Sequence, residues 1–223
     1  MRKPKSYGYY TILAEKFCGV RDIALSLQHV FMKTIDEIDK IKAVVLYILN
    51  RCGGTQDFVS LVKKMYFAQR KYLALYGRPI FNDMFYARDR GPVPAFTYKA
   101  LYVEALKDTS SPEIVEFNKS FSVSVKENTR DVSSSCLPDM DELAVAEVEV
   151  LDMILKDTEG MSAEQLTEMS HKDGAWMIAK ERMKDDPMDG RMSLVSIARA
   201  GGANKAVIEY LRDSLNFDYW CKA

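Results

Sequence analysis

The sequence predicts a mainly α protein, a single compact helical domain with a small β-hairpin or short extended elements. Three observations predict it. Apolar residues recur at helical spacing behind recognisable caps along most of the chain. Strand-period alternation is clear in one stretch, around Phe121, Val123 and Val125. And the 223 residues carry no internal repeat and no Gly/Ser-rich linker, so nothing divides them.

The elements follow in order. Residues 1–31 form an N-terminal appendage, either an extra helix (Ile23, Leu27 and Val30 suit one) or the product of an upstream start, and residues 32–223 form the domain. Thr34 and Glu37 make a T-x-x-E capping box, in which each side chain satisfies a free backbone donor of the other. Ile38, Ile41, Val45, Ile48 and Leu49 then line one face until Gly53-Gly54 stops the helix. Asp57 is a good N-cap for a second helix to Tyr76, with a broad apolar stripe and a basic face of Lys63, Lys64, Arg70 and Lys71. Arg78-Pro79 forbids its continuation.

The aromatic segment from Ile80 to Arg90 reads as extended. Gly91-Pro92-Val93-Pro94 reads as a turn that launches a helix from Ala95 to about Leu106. Ser111-Pro112 starts a short helix through Phe117, with proline at the first helical position. The alternating Phe121 to Lys126 stretch turns at Asn128 to Asp131 and returns near Val132 to Leu137 as a hairpin. Helices are expected over Asp139 to Asp157, from the Ser162/Gln165 capping box to Met169, over Asp173 to Met183, over Ser193 to Ala200 before Gly201-Gly202, and after Asn204.

Composition restricts function. The chain is 48% hydrophobic and 28% charged, with 31 basic and 32 acidic residues. That balance gives no bulk attraction to nucleic acid or anionic lipid. No segment has the length of a membrane-spanning helix, so no membrane partner is expected. The basic start Met1-Arg2-Lys3-Pro4-Lys5 is followed by tyrosines, Glu15 and Lys16, which interrupt the apolar run that export needs. Cys18, Cys52, Cys136 and Cys221 are scattered, without a C-x-x-C pair, and read as reduced thiols of a cytoplasmic protein.

No catalytic constellation, metal site or cofactor site is predicted. His29 and His171 are far apart and lack ligands at metal spacing. Gly201-Gly202-Ala203-Asn204-Lys205 lacks phosphate-loop spacing and reads as a helix stop. The acidic Asp185-Asp186 and Asp189-Gly190 lack the spacing of a calcium loop. The basic middle third supports weak DNA contact only.

Four stretches, in order, resemble the Panacea domain, the SocA-like antitoxin family of bacterial and phage-associated proteins. They are Ile41-Lys42-Ala43-Val44-Val45-Leu46-Tyr47-Ile48-Leu49, Leu61-Val62-Lys63-Lys64-Met65-Tyr66-Phe67-Ala68-Gln69, Gly91-Pro92-Val93, and Leu166 with Ser170-His171 and Ala175-Trp176. The resemblance runs from about Ile38 to Ala179 and is weakest between Lys107 and Pro138. Lys64 and Met65 depart from the leucines expected there. The resemblance implies an antitoxin without enzymatic activity, which neutralises a cognate toxin encoded by an adjacent gene through direct protein–protein binding. It implies motif residues of structural role at Tyr66, Gln69, Gly91, Pro92, Val93, His171 and Trp176. Aromatic anchors with a charged rim suit such an interface, and the candidates are Tyr72, Tyr76, Phe81, Phe85, Tyr86, Arg88 and Arg90. The alternative is a phage- or mobile-element-associated DNA-binding regulator.

Overall fold

The computed structural model describes residues 33–105, 107, 111–127, 129–186 and 189–222. The expected appendage, residues 1–31, lies outside them. The chain opens with helix α1 (Ile35–Arg51), strand β1 (Thr55–Asp57) and helix α2 (Phe58–Tyr76). A hairpin follows, β2 (Phe85–Arg88) and β3 (Gly91–Pro94), then α3 (Ala95–Tyr98), which widens into a π turn over Lys99–Val103. Next come α4 (Pro112–Asn118), β4 (Ser122–Lys126), β5 (Thr129–Ser133) and a 3₁₀ turn (Met140–Glu142). Helices α5 (Val145–Asp157), α6 (Ala163–His171), α7 (Gly174–Arg182), α8 (Leu194–Ala200) and α9 (Lys205–Lys222) complete the fold. It is mainly α with two small antiparallel sheets, ordered β1-β5-β4 and β2-β3.

The predicted caps form. Thr34 and Glu37 close their box on α1, and Ser162 and Gln165 close theirs on α6. Asp57 accepts from Ser60 N at 3.0 Å to start α2. Gly77 ends α2 at φ 65°, where an added Cβ would strike the Tyr210 ring, so left-handed backbone and close approach both call for glycine.

Helix α2 is the hub. It packs against α1, α5, α6, α8 and α9, and against both sheets. Leu61, Val62, Met65, Tyr66, Phe67, Tyr72 and Leu73 are each at most 1% exposed. Each such apolar side chain contributes about 1.5–3 kcal/mol by leaving water. The expected basic face is overturned in its first half, where Lys63 and Lys64 are buried, while Arg70 and Lys71 are half-buried. Lys64 Nζ reaches Gln56 Oε1 at 2.7 Å, and its stem lies within the core. Acidic α5 pairs with α1 through Lys40–Glu147, Arg51–Asp152 and the Tyr47 hydroxyl on Asp152 at 2.7 Å. Burial, then that carboxylate, pushes the Tyr47 phenol up to about 12.

Four expectations need correction. Gly91-Pro92-Val93-Pro94 is a strand, and the turn lies one step earlier, at Asp89-Arg90. The helix from Ala95 is regular for one turn only, and its π turn stacks Tyr98 on Tyr102 at 4.7 Å and presents the Leu101 and Tyr102 carbonyls to Arg130. The helix expected from Asp139 breaks at Leu143-Ala144, where Glu147 folds back to bond Ala144 N. The second strand of the later hairpin lies at Thr129–Ser133, nearer its partner than expected, and β1 joins it on the other side.

Candidate functional site

Three of the four stretches singled out in the sequence, those on α2, at Gly91-Pro92-Val93 and around Ser170 to Trp176, converge on the β2–β3 hairpin. Its base is set by two buried polar side chains. Gln69 of α2, fully buried, accepts from Ile80 N at 2.9 Å and donates to Phe81 O at 3.0 Å. Asp83, 3% exposed, accepts from Phe96 N, Thr97 N and Thr97 Oγ1 and so caps α3. Burial raises the Asp83 pKa, and these donors and Lys33 oppose the rise.

Two prolines are accommodated by register. Ala95 N bonds Met84 O, and the pairs run Phe85–Pro94, Tyr86–Val93, Ala87–Pro92 and Arg88–Gly91. Antiparallel pairs alternate between bonded and non-bonded. Pro92 and Pro94 occupy the non-bonded positions, where a missing N–H costs nothing to the ladder. The outer edge of β2 is taken by another segment, with Ala87 N donating to Gly190 O and Met192 N donating to Phe85 O, both at 2.8 Å.

Two side chains from the helical body grip the tip. Lys63, 1% exposed, donates from Nζ to Pro92 O at 2.9 Å. Burial, then the charge of Arg90, brings its pKa down to about 7. Gly91 passes directly beneath, at φ 94°, where an added Cβ would collide with Lys63 Nζ and Ser170 Oγ. Trp176 of α7 donates from Nε1 to Arg88 O at 3.0 Å and stacks on His171 at 4.4 Å. Asp173 positions that tryptophan: it caps α7 through Ala175 N and bonds Arg70 at 2.7 Å. Tyr66 lies alongside, its phenol raised by burial and then by Asp173, though its hydroxyl forms no hydrogen bond of ordinary geometry. Lys180 closes the rim with Asp89 at 2.7 Å.

The expected interface residues separate by depth. Tyr72, Phe81 and Phe85 are 0%, 2% and 1% exposed. Their rings are core, Tyr72 on the hub helix, Phe85 at an inward strand position and Phe81 in the bend whose backbone Gln69 holds, and this corrects their place among surface candidates. Phe81 and Phe85 form the floor of a cleft of about 360 Å³ edged by Arg191, Leu194 and Leu215. Tyr86 and Arg88 are half-buried on the outward face of the hairpin, and Arg90 is exposed at its tip. Tyr76 is 42% exposed at the far end of α2, about 20 Å along the helix from Lys63. The motif residues Tyr66, Gln69, Gly91 and Pro92 are buried, while Val93, His171 and Trp176 are half-buried.

Sequence reasoning missed Lys63, Arg70, Asp83, Ser170, Asp173 and Lys180 as parts of this site. Lys63 and Ser170 lie inside the stretches that carry the family resemblance, and Asp173 lies at an expected helix start. The others are brought in by tertiary packing.

Among the described residues no helix is long and apolar enough to cross a membrane. A family model described as antitoxin SocA-like, Panacea domain, matches residues 61–177. No curated protein and no solved structure matches the chain.

Proposed function

The chain belongs to the SocA-like Panacea antitoxin family, and from that premise we propose that it neutralises a cognate toxin by binding it directly. One observation carries the reading. The matched stretch, 61–177, runs from the start of the gripping apparatus on α2, through the hairpin, to the residue after Trp176. What marks the family in this chain is thus also what fixes one surface element in place. A preorganised element loses little entropy on binding, and this one presents a tyrosine and arginines, residue types enriched at energetic centres of interfaces.

The proposed action is stoichiometric binding in the cytoplasm rather than catalysis. The buried polar groups support this: Lys63, Gln69, Asp83 and Trp176 each bond backbone atoms of the hairpin or its base. The partner is the toxin encoded by the adjacent gene.

Expression of that gene alone should arrest growth, and co-expression of this chain should restore it with recovery of a stable complex. A harmless neighbour, or rescue without a complex, would contradict direct neutralisation.

A further inference from the structure

The geometry points to the outward side chains of the β2–β3 hairpin as the partner-selecting element, with Arg90 meeting a carboxylate on the toxin. This deepens, and rests on, the reading of the chain as a toxin-binding protein.

The argument begins with how the hairpin is held. Lys63 bonds Pro92 O, Trp176 bonds Arg88 O, Gly190 O bonds Ala87 N, and Met192 N bonds Phe85 O. All four contacts land on hairpin backbone. Strand alternation places Phe85, Ala87, Pro92 and Pro94 inward, all buried. The opposite face and the tip carry Tyr86, Arg88, Asp89, Arg90 and Val93. Replacing an outward side chain therefore leaves every backbone grip and the whole inner face unchanged. Shape is set by one group of residues and chemistry by another. That separation lets a binding element change its partner without changing its fold. Asp89 has its carboxylate matched by Lys180, and Arg88 has a contact of its own, so selection rests on Tyr86, Arg90 and Val93.

Charge selects the partner's chemistry. With Asp89 matched by Lys180, Arg90 is the exposed cation at the apex, and Arg88 stands on the same outward side, its guanidinium 5.8 Å from the Tyr86 ring centroid. Glu164 of α6 has its carboxyl pKa lowered first by its own backbone and Ser162 hydrogen bonds and last by the charge of Arg90. A guanidinium on a fixed turn suits a carboxylate, which it can engage in two parallel hydrogen bonds. The fitting partner surface is an acidic patch.

The test uses this protein and the product of the adjacent gene, with affinity measured by titration at two salt concentrations. Arg90→Glu should melt like the wild type yet bind about tenfold or more weakly, chiefly through slower association at low salt. Tyr86→Ser, which reverses no charge, should also weaken binding, and by more than its loss of half-buried ring lowers the melting temperature. An acidic-to-basic substitution in the toxin should recover affinity for Arg90→Glu and lose it for the wild type. If the wild type binds tightly and both variants bind equally well, the hairpin is not the selecting element, although neutralisation stands. If the wild type does not bind that product, neutralisation itself fails and this inference with it. If the variants lose affinity only in proportion to lost stability, the separation of shape from chemistry is wrong.

Discussion

The two small sheets are built on opposite principles. In the β1-β5-β4 sheet Val132 alone is fully buried, and β4 is exposed along most of its length. It covers the core from outside, and side chains tie it down: Val132 inserts, and Arg130 reaches carbonyls of the π turn while lying 4.1 Å over Tyr102. The β2–β3 hairpin is set into the body, with an apolar inner face and buried donors aimed at its backbone. A lid needs only an apolar underside. The hairpin instead has a fixed backbone under a half-buried to exposed outer face.

The contrast can be broken most forcefully at Lys63. Its pKa is about 7 in the folded protein, against 10.5 for a free lysine. Between those values the unfolded chain holds a proton that the folded chain has lost, so stability rises with pH across that window and is flat below it. This group supplies up to about 4–5 kcal/mol of the rise. Lys63→Met should remove most of that slope in urea unfolding at pH 7 and pH 9.5. Arg130→Met in the outer sheet should leave it unchanged. Equal slopes in wild type and Lys63→Met would mean the amine is not held in a dry site.

Gln69→Leu ranks next. It leaves the Ile80 N–H and the Phe81 carbonyl buried without partners, at about 1–3 kcal/mol each. A loss of about 3 kcal/mol in thermal or urea unfolding is expected. Trp176→Phe keeps most of the ring but removes the donor to Arg88 O, and should cost about 1–2 kcal/mol. Val132→Ala in the outer sheet should cost a similar amount. Under the proposed function the two separate on binding: the tryptophan variant should lose affinity for the adjacent-gene product, and the valine variant should keep it. The smallest effect belongs to Val125→Thr, at a side chain 50% exposed on β4. It should stay within about 0.5 kcal/mol of wild type and bind normally.

The same contrast explains what could be read in the sequence. The β4–β5 hairpin was legible because one of its faces is wet, so Phe121, Val123 and Val125 alternate with polar residues. The β2–β3 hairpin lacks that alternation, and Gly91-Pro92-Val93-Pro94 has the composition of a turn. Only the register, with both prolines at non-bonded positions, makes it a strand. Helix caps at Thr34, Asp57 and Ser162 were legible because capping is local. The depth of Phe81 and Phe85 was not, since aromatic residues serve cores and interfaces equally. Tyr86 and Arg88 are half-buried and Arg90 is exposed.

Hydrogen exchange on the protein alone and in complex with the adjacent-gene product addresses the central claim most directly. The account predicts that added protection concentrates at the non-proline amides of residues 85–93, with a smaller increase along α7. Amides of β4 and β5 should exchange as they do in the free protein. Protection centred on the outer sheet or on the acidic helix α5, with the β2–β3 hairpin unchanged, would contradict it.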